Sequence, residues 1–385
     1  MNREQELRLL ETCLAMTLEK RRPLDGDETL VPVTDYAAPA RFAREKARIF
    51  QRAFNLVTLS SRVAGPGDFI TADVVGAPVI VARGEDGRLR AFLNVCRHRG
   101  ATVERRAEGR CKRFVCPYHA WTYDIDGSLH RARHPEGFPT LDPQAHGLVE
   151  LPCAEQAGLV FVCPTPGADP EPLPEVLVHE LEHMLGPRPT AWASTARTWK
   201  ANWKIIVEGG IESYHFSIAH KKTIARAFGD TLSIWQRIGP HIRSVLPKRS
   251  IATLAGLPQA QWHIRDHSHI VYTLHPNAMI LLQKTHFDLI RMTPLAVDET
   301  HIEVMTVGTA PAGGALSDRA QAFMQENHAF SLRTLDEDFE IGEQIQRGLA
   351  TGANTHFRFG RFEGALTDWR SRLDAVMAQA ADVVR

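Results

Sequence analysis

Cys96 and His98, then Cys116 and His119, stand in a C-x-H…C-x2-H arrangement with seventeen residues between the two pairs. Cysteine thiolates and neutral imidazoles in equal number suit a [2Fe–2S] cluster, with two thiolates on one iron and two imidazoles on the other. Replacing two anionic ligands by neutral ones raises the cluster potential to roughly −150 to +300 mV. One or two residues between ligands lets a single turn present both members of each pair. Zinc takes the same donor types. Zinc fingers usually place cysteines first and histidines last, so the order here favours the cluster and leaves zinc as the alternative. Cys13, Cys111, Cys153 and Cys163 have no partner spaced for ligation and read as core or surface thiols.

A second set follows Asn202-Trp203-Lys204: Glu208, Glu212, His215 and His220. Read as one helix over about 202–219, positions 205, 208, 212 and 215 share a face. His220 lies five residues beyond His215, so both rings reach one point only if the helix kinks or ends between them. Gly209-Gly210 costs about 1 kcal/mol per glycine in a helix interior and suggests such a departure. Two histidines and one carboxylate form the facial triad of non-haem Fe(II), which leaves positions open for oxygen. The long helix expected over about 317–348 offers Asp336, Glu337 and Asp338. Asp336 falls with Glu340, Glu343 and Arg347 on a polar stripe, Asp338 with Leu335, Ile341 and Ile345 on an apolar one. A buried carboxylate needs a counter-charge, which a metal or an arginine would supply. His241, His263, His267, His269, His275, His286 and His301 are scattered and read as polar wall or core groups.

These residues need a scaffold of two kinds. Residues 1–45 read as helical until Pro23, Pro32 and Pro39 interrupt them. From about 54 to 163 short β-rich runs alternate with turn signals, among them Asp86-Gly87 and Asp126-Gly127, which are good hairpin signals. Pro164–Pro174 reads as a linker; beyond the 202–219 helix come strands over about 233–308 and the long helix. The 45 basic and 45 acidic residues balance, against a nucleic-acid binder. No apolar run approaches the ~18 residues of a membrane helix, and no signal peptide is visible. Six cysteines in 385 residues make no disulfide framework, so a cytoplasmic setting is expected.

Asn94-Val95-Cys96-Arg97-His98-Arg99-Gly100 and Cys116-Pro117-Tyr118-His119-Ala120-Trp121-Thr122-Tyr123, with Pro66-Gly67-Asp68-Phe69 and Asp86-Gly87 ahead of them, resemble the Rieske domain of Rieske non-haem iron (ring-hydroxylating) oxygenase alpha subunits. The resemblance runs from roughly 45 to 350. It implies an α+β protein: a helical segment 1–45 packed on the catalytic domain, a Rieske β-sandwich domain over 46–165, and a catalytic domain over 166–385 with an antiparallel sheet gripped by helices. Cys96, His98, Cys116 and His119 would hold the cluster; His215, His220 and Asp338 would hold a mononuclear iron. The stretch running to Glu343, Gln346, Arg347 and Gly348 matches the context of the family's third ligand and selects Asp338.

Glu212 stands where these oxygenases carry an acid, more often aspartate, that bridges the two metal sites of neighbouring chains. Glu208 would give outer support. Glutamate at 212 resembles the branch that oxidises quaternary ammonium compounds such as carnitine or choline, while Gly209 replaces an asparagine of many relatives. The implied activity is that of a terminal oxygenase using O2 to hydroxylate, dihydroxylate or demethylate a small molecule. Its electrons would come from NAD(P)H through a separate reductase, with or without a ferredoxin, and it would work as a homotrimer without nucleic acid or membrane. A non-catalytic Rieske electron carrier or redox sensor is the alternative.

Overall fold

The computed structural model describes residues 1–24, 26–309 and 317–378. The chain forms two compact units, Ile49–Leu173 with Arg188–Thr190, and Met1–Arg48 with Pro174–Pro187 and Ala191–Arg385.

The smaller unit is built of short antiparallel strands. Asp68–Val74, Ala77–Arg83 and Leu89–Leu93 form the centre of a five-stranded sheet edged by Glu108–Arg110 and Glu150–Leu151. Asn55–Leu59, Leu159–Val162 and Cys153–Gln156 form a second sheet, and Arg113–Val115, Thr122–Asp124 and Leu129–Arg131 a third. Both expected hairpin turns occur, with Gly87 and Gly127 at positive φ. A Cβ at Gly127 would lie 2.4 Å from the Phe92 ring, so this turn closes against the core. That core gathers Phe69, Phe92, Phe114, Trp121 and Tyr123, and it includes Cys96 and Cys116.

The larger unit carries a seven-stranded sheet in the order Pro189–Trp199, Glu299–Thr309, Phe287–Ala296, Ala278–Leu282, Ser268–Leu274, His241–Pro247, Ile234–Ile238. The helices Trp203–Ile211 and Asp318–Leu349 cover it. They approach closely at Gly342, where a Cβ would sit 3.4 Å from Ile206 and 3.5 Å from Ile205. Together the two units give the expected α+β architecture, a β-domain followed by a sheet-and-helix domain.

Two local expectations change. The N-terminal segment is not helical throughout: after the helix Arg3–Leu18, Thr29–Pro32 pairs antiparallel with His356–Phe359. The helix expected over 202–219 stops at Ile211. Glu212 is extended (φ −106°, ψ 167°), and a four-residue helix, Phe216–Ala219, follows. The Glu212 carboxylate accepts the backbone N–H groups of Tyr214 and His215, a local bond that competes with helix continuation. Glu208, Glu212 and His215 therefore share no continuous helical face.

Candidate metal centres

The four Cys/His residues sit on twin turns. Cys96 N–H donates to Ala101 O at 2.8 Å and Gly100 N–H to Cys96 O at 2.9 Å; Cys116 N–H donates to Trp121 O at 2.8 Å and Ala120 N–H to Cys116 O at 3.0 Å. The fifth residue of each turn, Gly100 and Ala120, takes positive φ, a cost for alanine that the surrounding bonds hold in place. The His98 and His119 rings lie 4.7 Å apart, and Trp121 stacks on His98 at 5.0 Å. Both thiols are buried, and burial together with the neighbouring Cys96 pushes the Cys116 thiol up.

His119 Nδ1 is buried with no hydrogen-bond partner. Two adjoining buried thiols and an orphaned imidazole nitrogen suit a group that binds both as ligands. The hydroxyl of Tyr123 accepts from Arg97 N–H at 3.0 Å and lies 3.3 Å from Cys96 Sγ, so its own proton is left for the sulfur.

In the larger unit, the break after Ile211 swings His215 and His220 towards the long helix. Their Nε2 atoms are 3.2 Å apart, and Asp338 Oδ1 lies 3.4 Å from the first and 3.1 Å from the second. Three mutually adjacent donors bound at ~2.1 Å at right angles would stand about 3.0 Å apart. The donor set thus fits one face of a small divalent cation, and it is the one such cluster of three found among the described residues.

The opposite ring nitrogens are both engaged. His215 Nδ1 pairs with Glu212, and His220 Nδ1 with Glu337 at 2.8 Å. A carboxylate on Nδ1 fixes the proton there and turns the Nε2 lone pair inward. Burial disfavours the charged His215 ring, but bonds to Asp338 and Glu212 outweigh it and raise the ring to about 10. Burial likewise pushes Asp338 up, and its bonds to both histidines pull it below the usual carboxylate range. The cluster demands positive charge, from protons or from a metal that displaces them.

Glu337 was not legible as a participant in the sequence, where it is one of three consecutive acids. Thr223 Oγ1 donates to the same oxygen at 2.6 Å. Glu208 bonds neither histidine: its carboxylate accepts from Tyr36 OH at 2.6 Å, burial raises it to about 7, and it shares the lining of a second cavity with Glu212 and His215. Of the stripe expected around Asp338, Leu335 is buried while Ile341 and Ile345 are 39% and 37% exposed. Asp336 pairs with Arg197 at 3.1 Å.

A cavity of about 300 Å³ opens beside His220 and Asp338, lined by Gly209, Phe216, Phe228, Leu281, Ile290 and Phe339 among others. Gly210 faces it without a side chain because Met279 Sδ would lie 2.4 Å from a Cβ.

A Rieske-type turn pair in one unit and a facial two-histidine, one-carboxylate cluster beside a cavity in the other define a two-centre iron protein. The chain belongs to the ring hydroxylating alpha subunit family, whose catalytic-domain model matches residues 187–379; the Rieske [2Fe-2S] domain model matches residues 53–142. It is 34% identical over 212 residues to the glycine betaine monooxygenase oxygenase subunit of Chromohalobacter salexigens, covering 54% of this chain and 46% of that protein. It is 36% identical over 204 residues to the carnitine monooxygenase oxygenase subunit of Escherichia coli K12, covering 49% and 52%. The chain thus spans about half the length of the curated relatives it matches. A crystal structure of a quaternary ammonium Rieske monooxygenase with L-carnitine aligns with a TM-score of 0.78 at 24% identity, over 91% of this chain and 96% of that one.

Proposed function

We propose that the chain is the terminal oxygenase of a Rieske non-haem iron system acting on a small quaternary ammonium compound. The observation that carries this reading is the convergence of His215, His220 and Asp338 on one point at the wall of a cavity. In this reading Cys96, His98, Cys116 and His119 hold the [2Fe–2S] cluster, and His215, His220 and Asp338 hold the mononuclear iron. When bound, the two groups supply the electron storage and oxygen activation that protein side chains lack.

The chain's own part is placement. Glu212 and Glu337 hold protons on the Nδ1 atoms of His215 and His220, so each ring offers Nε2 to the metal. Phe216, Phe228, Leu281 and Ile290 line a mostly apolar chamber beside it, which positions a substrate and limits water. Glu212 is half-buried at 12% side-chain exposure, which suits the electron bridge between neighbouring chains of a homotrimer. Glu208, at about 7 on the protein's scale of acidities, is available to hold a proton near that bridge. A separate reductase, with or without a ferredoxin, brings electrons from NAD(P)H. Six cysteines in 385 residues are too few for a disulfide framework, and a reducing, cytoplasmic setting goes with this reading.

The test is oxygen uptake with a surrogate reductase and NADH over glycine betaine, carnitine, choline and aromatic acids. Substrate-dependent uptake with matching oxygenated or dealkylated product is expected. Uptake that no compound stimulates, with iron and cluster both loaded, counts against the reading.

A further inference from the structure

Strand alternation divides the cavity into an apolar middle and a polar end. Leu246 and Lys248, His269 and Val271, Met279, Leu281 and Gln283, and His286, Asp288 and Ile290 follow period two along four neighbouring strand segments and line the cavity together. Because the strands are antiparallel, the exit of His241–Pro247, the entry of Ser268–Leu274, the exit of Ala278–Leu282 and the entry of Phe287–Ala296 meet at one end of the sheet. Lys248, His269, Gln283 and His286 are gathered there.

This polar end is separated from the metal ligands by phenylalanines. The Phe216 ring lies 5.3 Å from His220 and 5.5 Å from Phe228, whose ring lies 6.0 Å from His269. Phe228 also forms a backbone bridge with Lys248. A molecule with one end at His220 and Asp338 would run along this aromatic wall to reach Lys248.

The charges around Lys248 are already committed. Asp266 pairs with Lys284 at 2.9 Å. Asp288 accepts from Thr306 and Ser331, each at 2.6 Å, and from Gln283 at 3.4 Å. Lys248 is half-buried and makes no ion pair among the described residues. His269 and His286 each leave Nε2 buried and without a hydrogen-bond partner. Burial, with help from Lys248, pushes His269 down to about 3, so this ring is neutral; burial also pushes Lys248 below the usual lysine range against the pull of Asp266, and Lys248 is the positive charge at this end. A half-buried cation without an ion pair and orphaned buried polar atoms both favour an incoming anion. One cation suits a monoanion rather than a phosphate dianion.

We infer that the molecule entering this cavity carries a carboxylate, held by Lys248 with His269 and Gln283 beside it, while its reacting carbon lies at the His220–Asp338 end. This rests on the oxygenase reading for the identity of the reacting end, whereas carboxylate binding stands apart from it. A quaternary ammonium substrate would accordingly be a betaine whose chain separates cation from carboxylate by several methylenes, with the cation nearer the metal ligands and the carboxylate turned to Lys248.

Calorimetric binding to the anaerobic, iron- and cluster-loaded protein tests this with matched acids and amides long enough to follow the wall: gamma-butyrobetaine and its carboxamide, 4-phenylbutyrate and 4-phenylbutyramide. At least one acid of the pair set is expected to bind at least ~30-fold more tightly than its amide, and Lys248→Met to erase that preference by weakening the acid alone. Lys248→Arg, which keeps the charge, is expected to retain it. Equal binding of acids and amides, a preference that survives Lys248→Met, or no binding of any acid up to about 10 mM would overturn the inference. Oxygen uptake is not read in this experiment, so failure of the oxygenase reading would appear separately as absent turnover despite tight, Lys248-dependent binding.

Discussion

Replacing Glu337 with alanine should loosen the metal site without touching any ligand. The Glu337 carboxylate takes two hydrogen bonds, from His220 Nδ1 at 2.8 Å and from Thr223 Oγ1 at 2.6 Å. The first fixes which nitrogen of His220 carries the proton and which way the ring faces. A hydrogen bond to a charged group contributes about 1.5–3 kcal/mol, equivalent to roughly 10–100-fold in affinity, the range seen when a partner behind a metal-bound histidine is lost. We therefore expect Glu337→Ala to weaken Fe(II) or Co(II) binding at the mononuclear site by about 10–100-fold. Glu337→Gln keeps an acceptor and should lose less than about tenfold. The assay is a metal titration at fixed pH, read by Co(II) absorbance or iron occupancy, with the cluster's visible spectrum as an internal control. Binding by Glu337→Ala within about twofold of the parent, at an intact cluster spectrum, would refute the role given to this carboxylate.

Glu208→Gln should alter the pH dependence of stability. Glu208 is raised to about 7 in the folded chain by burial, against about 4.3 unfolded. The folded state therefore keeps a proton that the unfolded state releases, and this site's contribution falls as pH rises through that window and is fully lost above about 7. The variant's stability advantage, followed by thermal melts, should grow from near zero below pH 4 to roughly 4 kcal/mol at pH 8; a pH-independent difference would contradict this. Glu45→Ala should cost about 3–5 kcal/mol, because Lys204 Nζ sits 2.7 Å from Glu45 with both side chains fully buried; calorimetry showing a loss under ~1 kcal/mol would argue against it. Tyr123→Phe should lower the cluster potential in voltammetry by removing the hydroxyl 3.3 Å from Cys96 Sγ, since bonds to ligand sulfur favour the reduced cluster; an unchanged or higher potential would speak against that bond.

The pairing of Cys96 with His98 and of Cys116 with His119 was legible in the sequence because each pair lies within one turn, where spacing alone determines presentation. His215 and His220 were legible by residue type, but the helix expected to end between them ends earlier, after Ile211, and the short helix Phe216–Ala219 lies between the two histidines. What stopped the helix, the Glu212 carboxylate bonding Tyr214 and His215 N–H, is a side-chain conformation that periodicity does not encode. Asp338 was reached through its apolar neighbours, although Ile341 and Ile345 turn out partly exposed in the single chain. Glu337 was missed because its partners, His220 and Thr223, lie more than a hundred residues away in sequence. The strand Thr29–Pro32 was missed for the same reason: its partner, His356–Phe359, lies near the other end of the chain. Lys248 drew no notice as a lone lysine; only strand register brings it beside His269 and Gln283.

Counting metal in the parent and in Asp338→Ala reaches the two-centre arrangement most directly. Iron and acid-labile sulfide, measured per chain after anaerobic loading, should give about three irons and two sulfides for the parent. The variant should give about two irons with an unchanged cluster spectrum. Two irons in the parent, zinc in their place, or a third iron retained without Asp338 would contradict the arrangement.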